Sequence, residues 1–221
     1  MGEKRRQPAV FLDRDGTINE EVGYLDSVEK LRLLPGAAKA IRLINESGMK
    51  AVVVTNQSGV ARGFYDEAFV EETHARLREV LRAEGAFLDG LYFCPHHPTE
   101  GRGNYLLPCN CRKPAPGLLL QAAKELRLDL ARSYMVGDTL KDIEAGARAG
   151  MKGILVRTGY GGEEALKLER GGLSRKPLET GQAAPGATAR DAVRQAADPQ
   201  QPDYIAADIL EAVQWILRKR P

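Results

Sequence analysis

No apolar run in this 221-residue chain approaches the length that a bilayer-crossing helix needs, about 20 residues. The N-terminus also lacks an apolar signal region followed by a small-residue cleavage site, because the run after Pro8 is far too short. These absences predict a cytoplasmic protein. An excess of one charge is missing too: 32 Lys and Arg stand against 30 Asp and Glu, for a net charge of +2. That balance gives no reason to expect nucleic acid or a membrane as partner. Lys4, Arg5 and Arg6 form only a short basic run, read as a solvated tail. Cysteine is scarce. There are three, and Cys109 and Cys111 are one residue apart, which makes a poor disulfide framework and suits a reducing compartment. Of the three histidines, His74 lies in a helical stretch and reads as an ordinary surface or boundary residue. The single tryptophan, Trp215, reads as packing on the last helix.

What is present is an ordinary globular composition, 43% hydrophobic and 28% charged, long enough to bury a core without staples. Short apolar runs alternate with amphipathic stretches. Ala9-Val10-Phe11-Leu12, Ala51-Val52-Val53-Val54, Leu88 to Phe93, Tyr134-Met135-Val136 and Gly153 to Val156 read as buried strands. Helices are predicted after Pro35-Gly36 as far as Gly48, from about Asp66 to Glu84, from Gly117 to Leu126, and from Thr139 to Ala149. Tyr204-Ile205-Ala206 reads as an edge strand, followed by a helix that Asp208 caps with Glu211 three residues on. The alternation predicts an α/β fold, a Rossmann-like doubly wound parallel sheet covered on both faces. One domain over residues 1–221 is expected, with a Cys, His, Pro and Gly-rich loop at 94–116. Residues 161–202 are poor in large apolar side chains and read as a flexible insertion, with a short helix at about 163–169.

In such sheets ligands bind beyond the carboxyl ends of the strands. Asp13, Thr55, Cys94 and Asp138 each follow an apolar run at that edge. Asp13 and Asp15 could both face one pocket, where two like charges repel unless a cation or a proton intervenes. Magnesium suits such hard oxygen ligands. One carboxylate could ligate the metal and act as nucleophile while the other carries a proton; the plainer alternative is a capped surface turn. The second constellation is Cys94-Pro95-His96 with Cys109-Asn110-Cys111. Three thiols and an imidazole suit a tetrahedral zinc site, which would be structural because four protein ligands leave no place for water. Free thiols in a loop are the alternative, and His97 rivals His96 as the imidazole.

Asp13-Arg14-Asp15-Gly16-Thr17 resembles the D-x-D-G-T motif of the haloacid dehalogenase-like phosphohydrolases. Thr55, Lys113 in Cys111-Arg112-Lys113-Pro114, and Gly137-Asp138 with Asp142 follow in the order of that family's remaining motifs. The resemblance implies a phosphatase without a large cap domain. Asp13 would be the nucleophile and Asp15 the general acid and base, a role that asks for a raised pKa. Thr55 and Lys113 would hold the phosphoryl group. Magnesium would sit on Asp13, Asp15 (through its backbone carbonyl) and Asp138, with Asp142 behind them. The zinc ligands would be Cys94, His96, Cys109 and Cys111, fixing the loop that delivers Arg112 and Lys113.

Within the family the chain resembles two branches, one acting on a heptose bisphosphate and one on histidinol phosphate. Thr55-Asn56-Gln57-Ser58-Gly59-Val60-Ala61-Arg62-Gly63 and Gly23-Tyr24 favour the first. That branch implies substrate contacts from Arg14, from Glu21, Val22, Gly23 and Tyr24, from Asn56, Gln57 and Ser58, and from Arg112, whose planar fork suits a second phosphate. A monomer acting on a small phosphorylated sugar is expected. Heptose biosynthesis, for lipopolysaccharide precursors or for GDP-heptoses, is the implied setting.

Overall fold

The computed structural model of the chain describes residues 6–172 and 198–219. Six strands make one sheet: β1 (Ala9–Leu12), β2 (Lys50–Asn56), β3 (Gly90–Cys94), β4 (Tyr134–Gly137), β5 (Lys152–Val156) and β6 (Tyr204–Ala206). Their order is β3-β2-β1-β4-β5-β6, and every neighbouring pair is parallel. Parallel neighbours need crossovers. The helices are α1 (Ala37–Glu46), the single turn α2 (Gly59–Arg62), α3 (Glu67–Ala83), α4 (Gly117–Glu125), α5 (Leu140–Arg148), α6 (Gly161–Gly172) and α7 (Ile209–Arg218). Among the described residues no helix is long and apolar enough to cross a membrane.

The two faces follow from the period of two along each strand. Val10 and Leu12 join Ile41 and Ile44 of α1, Leu77 and Leu81 of α3, and Val213 and Ile216 of α7. Ala9 and Phe11 face the other way, onto Leu118, Leu119 and Ala122 of α4 and Ala145 of α5. Burial on both faces is why these strands carry continuous apolar runs rather than alternation. Trp215 packs as expected, stacked on Tyr204 at 5.0 Å and edge-on to Tyr134 at 6.4 Å.

Several boundaries differ from the sequence reading. β2 continues two residues past Val54, with Thr55 paired to Phe93 and Asn56 to Cys94, so both polar residues belong to the strand. β3 begins at Gly90, because Asp89 caps its start by accepting from the Lys50 ammonium and the Ala51 amide. The expected 163–169 helix is present and longer, Gly161–Gly172, with Ala165 fully buried, so the segment read as a flexible insertion opens as packed helix. Residues 173–197 of that segment lie outside the described residues. At α7 the Asp208 carboxylate accepts from the Glu211 amide, but Glu211 reaches back to the amide of Ala207 rather than of Asp208. His74 is not a surface residue. It is 3% exposed and edge-on to Phe93, and burial holds its pKa down to about 3, so the imidazole stays neutral.

Candidate active site

The register of three strands builds the site. Leu12 is level with Val53 of β2 and Val136 of β4, and the Asp13 amide extends the ladder by donating to the Val136 carbonyl at 2.9 Å. Asp13, Thr55 and Asp138 therefore emerge side by side, where chain order reverses across the sheet. Open α/β sheets bind ligands at such a point. A cleft of about 620 Å³, including its open mouth, lies above it.

Three carboxylates converge at its floor. Asp13, Asp138 and Asp142 place oxygens within 4.8 Å of one another. Lys113 is the cation among them: its ammonium lies 3.0 Å from Asp13 and 2.5 Å from Asp142, and donates to the Val54 carbonyl at 2.8 Å. Asp142 is fully buried, with one oxygen on Lys113 and the other accepting from the Thr139 amide and hydroxyl at the start of α5. Asp13 and Asp138 line the cleft, whereas Asp142 does not. Three carboxylates against one ammonium leave a formal excess of two negative charges. Burial first, then mutual repulsion, lifts Asp13 to about 7 and Asp138 to about 8. Burial alone would discharge Lys113, but Asp13 and Asp142 outweigh it and keep the ammonium charged. An all-oxygen set short of two positive charges fits a hard divalent cation such as magnesium.

The Asp138 carboxylate also dictates glycine around it. A Cβ on Gly16 or on Gly159 would come within 2.2 Å of Asp138 Oδ2, and both glycines have positive φ, 75° and 53°. Thr158 ties the two turns together by donating to the Gly16 carbonyl at 2.6 Å. The Tyr160 amide donates to Asp138 at 2.9 Å.

Asp15 differs from the sequence reading. Its side chain turns away from the carboxylate cluster and accepts from Nε and Nη2 of Arg14 (3.1 and 2.8 Å), from Asn19 (2.8 Å) and from Gln57 (2.9 Å). Burial pushes its carboxyl up, but Arg14 and these hydrogen bonds outweigh burial, and the net pKa lies below the ordinary value rather than above it. The residue between the two aspartates reverses the expected shift.

Gln57 also donates to the Thr55 hydroxyl at 2.9 Å and accepts from Tyr65 at 3.0 Å. Asn56 exchanges two hydrogen bonds with the Lys113 backbone, at 3.0 and 3.1 Å. Both amides thus hold other site residues. Arg14, Glu21, Gly23, Tyr24 and Ser58 line the cleft. Val22 is 48% exposed and does not line it, and Arg112 donates to the His96 carbonyl at 3.2 Å instead. Tyr65, Thr139 and Tyr160 line the cleft and were missed. Tyr160 lies four residues past the end of β5, so the strand-end rule that selected Asp13 and Asp138 does not reach it.

Beside the cleft, Cys94, His96, Cys109 and Cys111 form a second cluster, also within 4.8 Å. The sulfurs are 3.1 to 3.5 Å apart and unbonded, and His96 Nδ1 lies 3.3 Å from Cys111 and 3.8 Å from Cys94. Tetrahedral zinc, with bonds of about 2.3 Å, needs sulfur separations of about 3.8 Å. The cluster reaches that by opening a few tenths of an ångström. Hydrogen bonding from Cys94 holds Cys111 down to about 5, so a thiolate is at hand. The choice between imidazoles falls on His96, because His97 Nδ1 accepts from the Thr99 and Glu100 amides.

An all-parallel sheet carrying aspartate, lysine and two further aspartates at its switch point is the arrangement of the haloacid dehalogenase-like hydrolases. Comparison with known proteins agrees. A family profile described as HAD-hydrolase-like matches residues 110–176. The D-glycero-D-manno-heptose-1,7-bisphosphate 7-phosphatase of Thermosynechococcus vestitus is 41% identical over 95% of both chains. The D-glycero-beta-D-manno-heptose-1,7-bisphosphate 7-phosphatase of Escherichia coli K12 is 46% identical over 69% of this chain and 80% of its own. The crystal structure of D,D-heptose 1,7-bisphosphate phosphatase from B. bronchiseptica, complexed with magnesium and phosphate, superposes with a TM-score of 0.73 at 28% identity, covering 97% of this chain and all of that one. This chain belongs to the D-glycero-D-manno-heptose-1,7-bisphosphate 7-phosphatase family of the haloacid dehalogenase-like hydrolases.

Proposed function

We propose that the chain hydrolyses the C7 phosphate of D-glycero-D-manno-heptose 1,7-bisphosphate, with Asp13 as nucleophile. Identity of 41% across nearly the whole length supports the substrate. The observation that carries the chemistry is Asp13 held 3.0 Å from the Lys113 ammonium in a carboxylate cluster short of positive charge. An Asp13 oxygen attacks phosphorus, the bond from phosphorus to the C7 oxygen breaks, and that oxygen takes a proton from Asp15. Water then attacks the acyl phosphate and returns a proton to Asp15. Inorganic phosphate leaves and the Asp13 carboxylate is restored. Dividing the reaction into two displacements lowers a barrier that is otherwise among the highest in biology.

Lys113 and the Thr55 hydroxyl hold the phosphoryl oxygens, and Asn56 and Gln57 fix Lys113 and Asp15. Arg14 now pairs with Asp15; an incoming phosphate draws the guanidinium away, and loss of that contact raises Asp15 toward the value an acid needs. Magnesium on Asp13, Asp138 and the Asp15 backbone carbonyl would offset negative charge on nucleophile and phosphoryl group. Zinc on Cys94, His96, Cys109 and Cys111 would be structural. The test is a phosphate-release screen of both heptose 1,7-bisphosphate anomers beside histidinol phosphate. We expect kcat/KM to favour a heptose bisphosphate by about tenfold or more. Preference for histidinol phosphate would overturn the substrate and leave the mechanism standing.

A further inference from the structure

Tyr65 lines the cleft but has no part in the chemistry described above. It lies between α2 and α3, with its ring tilted against Phe69 in the first turn of α3 at 5.2 Å. Gly59 makes room for that ring, because a Cβ there would meet it at 2.2 Å. The Gly59 amide also acts on the phenol oxygen as a hydrogen-bond donor, which leaves the phenol proton for another partner. Burial keeps that proton in place by pushing the pKa up to about 12. The hydroxyl donates it to Oε1 of Gln57 at 3.0 Å. Gln57 is buried, and both hydrogens of its amide nitrogen are used, one on Oγ1 of Thr55 at 2.9 Å and one on Oδ2 of Asp15 at 2.9 Å. Thr55 is buried yet lines the cleft floor, and its own hydroxyl hydrogen has no acceptor among the described residues. The hydrogen bonds thus run one way, from Tyr65 through Gln57 to Thr55, and end on a hydroxyl with a proton still to give.

We infer that Tyr65 is a positioning residue for phosphoryl transfer: its hydroxyl fixes the direction of the Gln57 amide, and that direction leaves the Thr55 hydroxyl as a donor to the phosphoryl group. This rests on the reading of Thr55 as a phosphoryl ligand. With the amide reversed, Oε1 would accept the Thr55 hydrogen, and an incoming phosphoryl oxygen would face a lone pair instead of a donor. A bare Asp15 carboxylate also asks for the nitrogen end of Gln57. That demand lapses in the first displacement, where Asp15 brings a proton to the leaving oxygen and its carboxyl can donate to Oε1 as readily as it accepts from Nε2. Tyr65, whose oxygen already takes the Gly59 amide, then holds the direction alone. A donor aimed in advance at the place where charge develops is worth more than one that must turn during the reaction.

A double-mutant cycle tests the route through Thr55. Steady-state kinetics of the full-length enzyme with magnesium are measured for heptose 1,7-bisphosphate and for p-nitrophenyl phosphate, which shares only the phosphoryl group. Tyr65→Phe keeps the ring on Phe69 and removes the hydroxyl. It should lower kcat about tenfold for both esters with KM little changed, as expected for an interaction made in the transition state. In a Thr55→Val background, itself slowed about 10²-fold, the same change should cost less than about twofold. A Gln57→Leu background should abolish the effect of Tyr65→Phe in the same way. An unchanged kcat in Tyr65→Phe, or an equal loss with and without the Thr55 hydroxyl, would overturn the proposal. So would a loss confined to the heptose ester, which is the mark of direct contact between Tyr65 and the sugar. A Thr55→Val enzyme as fast as wild type would overturn the phosphoryl reading of Thr55 itself, and this proposal with it.

Discussion

The two clusters of ionisable side chains share one loop but are built to opposite specifications. Cys111 belongs to the sulfur cluster and Lys113, two residues on, to the oxygen cluster. Asn56 bridges them, level with Cys94 in the sheet and hydrogen-bonded to the backbone of Lys113. The sulfur cluster is self-contained, since three thiols and an imidazole converge and could satisfy a tetrahedral metal alone. The oxygen cluster is incomplete, with buried carboxylates that outnumber their ammonium and open on a cleft. A closed set can only hold the chain in shape. An open, over-charged set keeps a standing demand for a cation and a phosphoryl group, which is what a catalyst of charge displacement needs.

The sharpest way to break this comparison is at the open cluster. Asp13→Asn keeps the volume and the hydrogen bond from the Arg14 amide but removes the nucleophile, and we expect turnover to fall by about 10³-fold or more with the fold intact by circular dichroism. Activity close to wild type would end the case for Asp13. At the closed cluster, Cys111→Ser should lose bound zinc and lower the melting temperature by about 5 °C or more, because metal binding and loop folding are one process. Turnover should drop with it, since Lys113 rides on the same loop. A variant that keeps full activity with no zinc, by metal analysis and phosphate release, would uncouple the clusters. A milder change is Gly159→Ala, whose Cβ would press on the Asp138 carboxylate. We expect about tenfold weaker activation by magnesium, with kcat largely recovered at saturating metal. An unchanged magnesium titration would show that Asp138 does not meet the ion.

Much of this was legible in residue order. Apolar runs that stop at Asp13 and Asp138 mark strand ends, and the parallel sheet follows from their alternation with helices. The chemistry of Cys94, Cys109 and Cys111 also reads directly, because thiols so spaced have few other uses. Orientation was not legible. Spacing cannot separate His96 from His97; the amides of Thr99 and Glu100, which fold back on His97, decide it. The motif places Asp15 beside Asp13, but only the structure shows Arg14 reaching back to pair with it and turn its shift downward. Thr55 and Asn56 lie beyond the apolar run, and their place inside β2 comes from pairing with β3, a long-range effect that periodicity does not see. Arg112 has the right chemistry for a second phosphate, but its anchoring to the His96 carbonyl through one nitrogen is visible only in the structure.

The smallest expected effect tests the idea of a standing demand for cation. Asp13 and Asp138 have folded pKa values of about 7 and about 8, above the ordinary carboxylate value of about 4 in the unfolded chain. Between those limits the folded protein binds more protons than the unfolded one, so this contribution to stability is full below the unfolded value and is lost as pH rises through 7 and 8. Two other groups work in the opposite sense but lie outside the window. Asp15, held below its ordinary value, contributes above that value and loses its contribution only in acid. The neutral, buried His74 favours the fold more as pH rises, and that gain levels off just above its unfolded value of about 6.5. From about pH 6.5 to 8.5, protein freed of magnesium but keeping its zinc should therefore melt progressively lower, by a few °C. Magnesium selects the ionised carboxylates, so its stabilising effect should grow across the same interval. Thermal melts with and without the ion measure both slopes. A magnesium effect independent of pH would mean that the carboxylates are already ionised without it, and the distinction between the open and the closed cluster would lose its electrostatic basis.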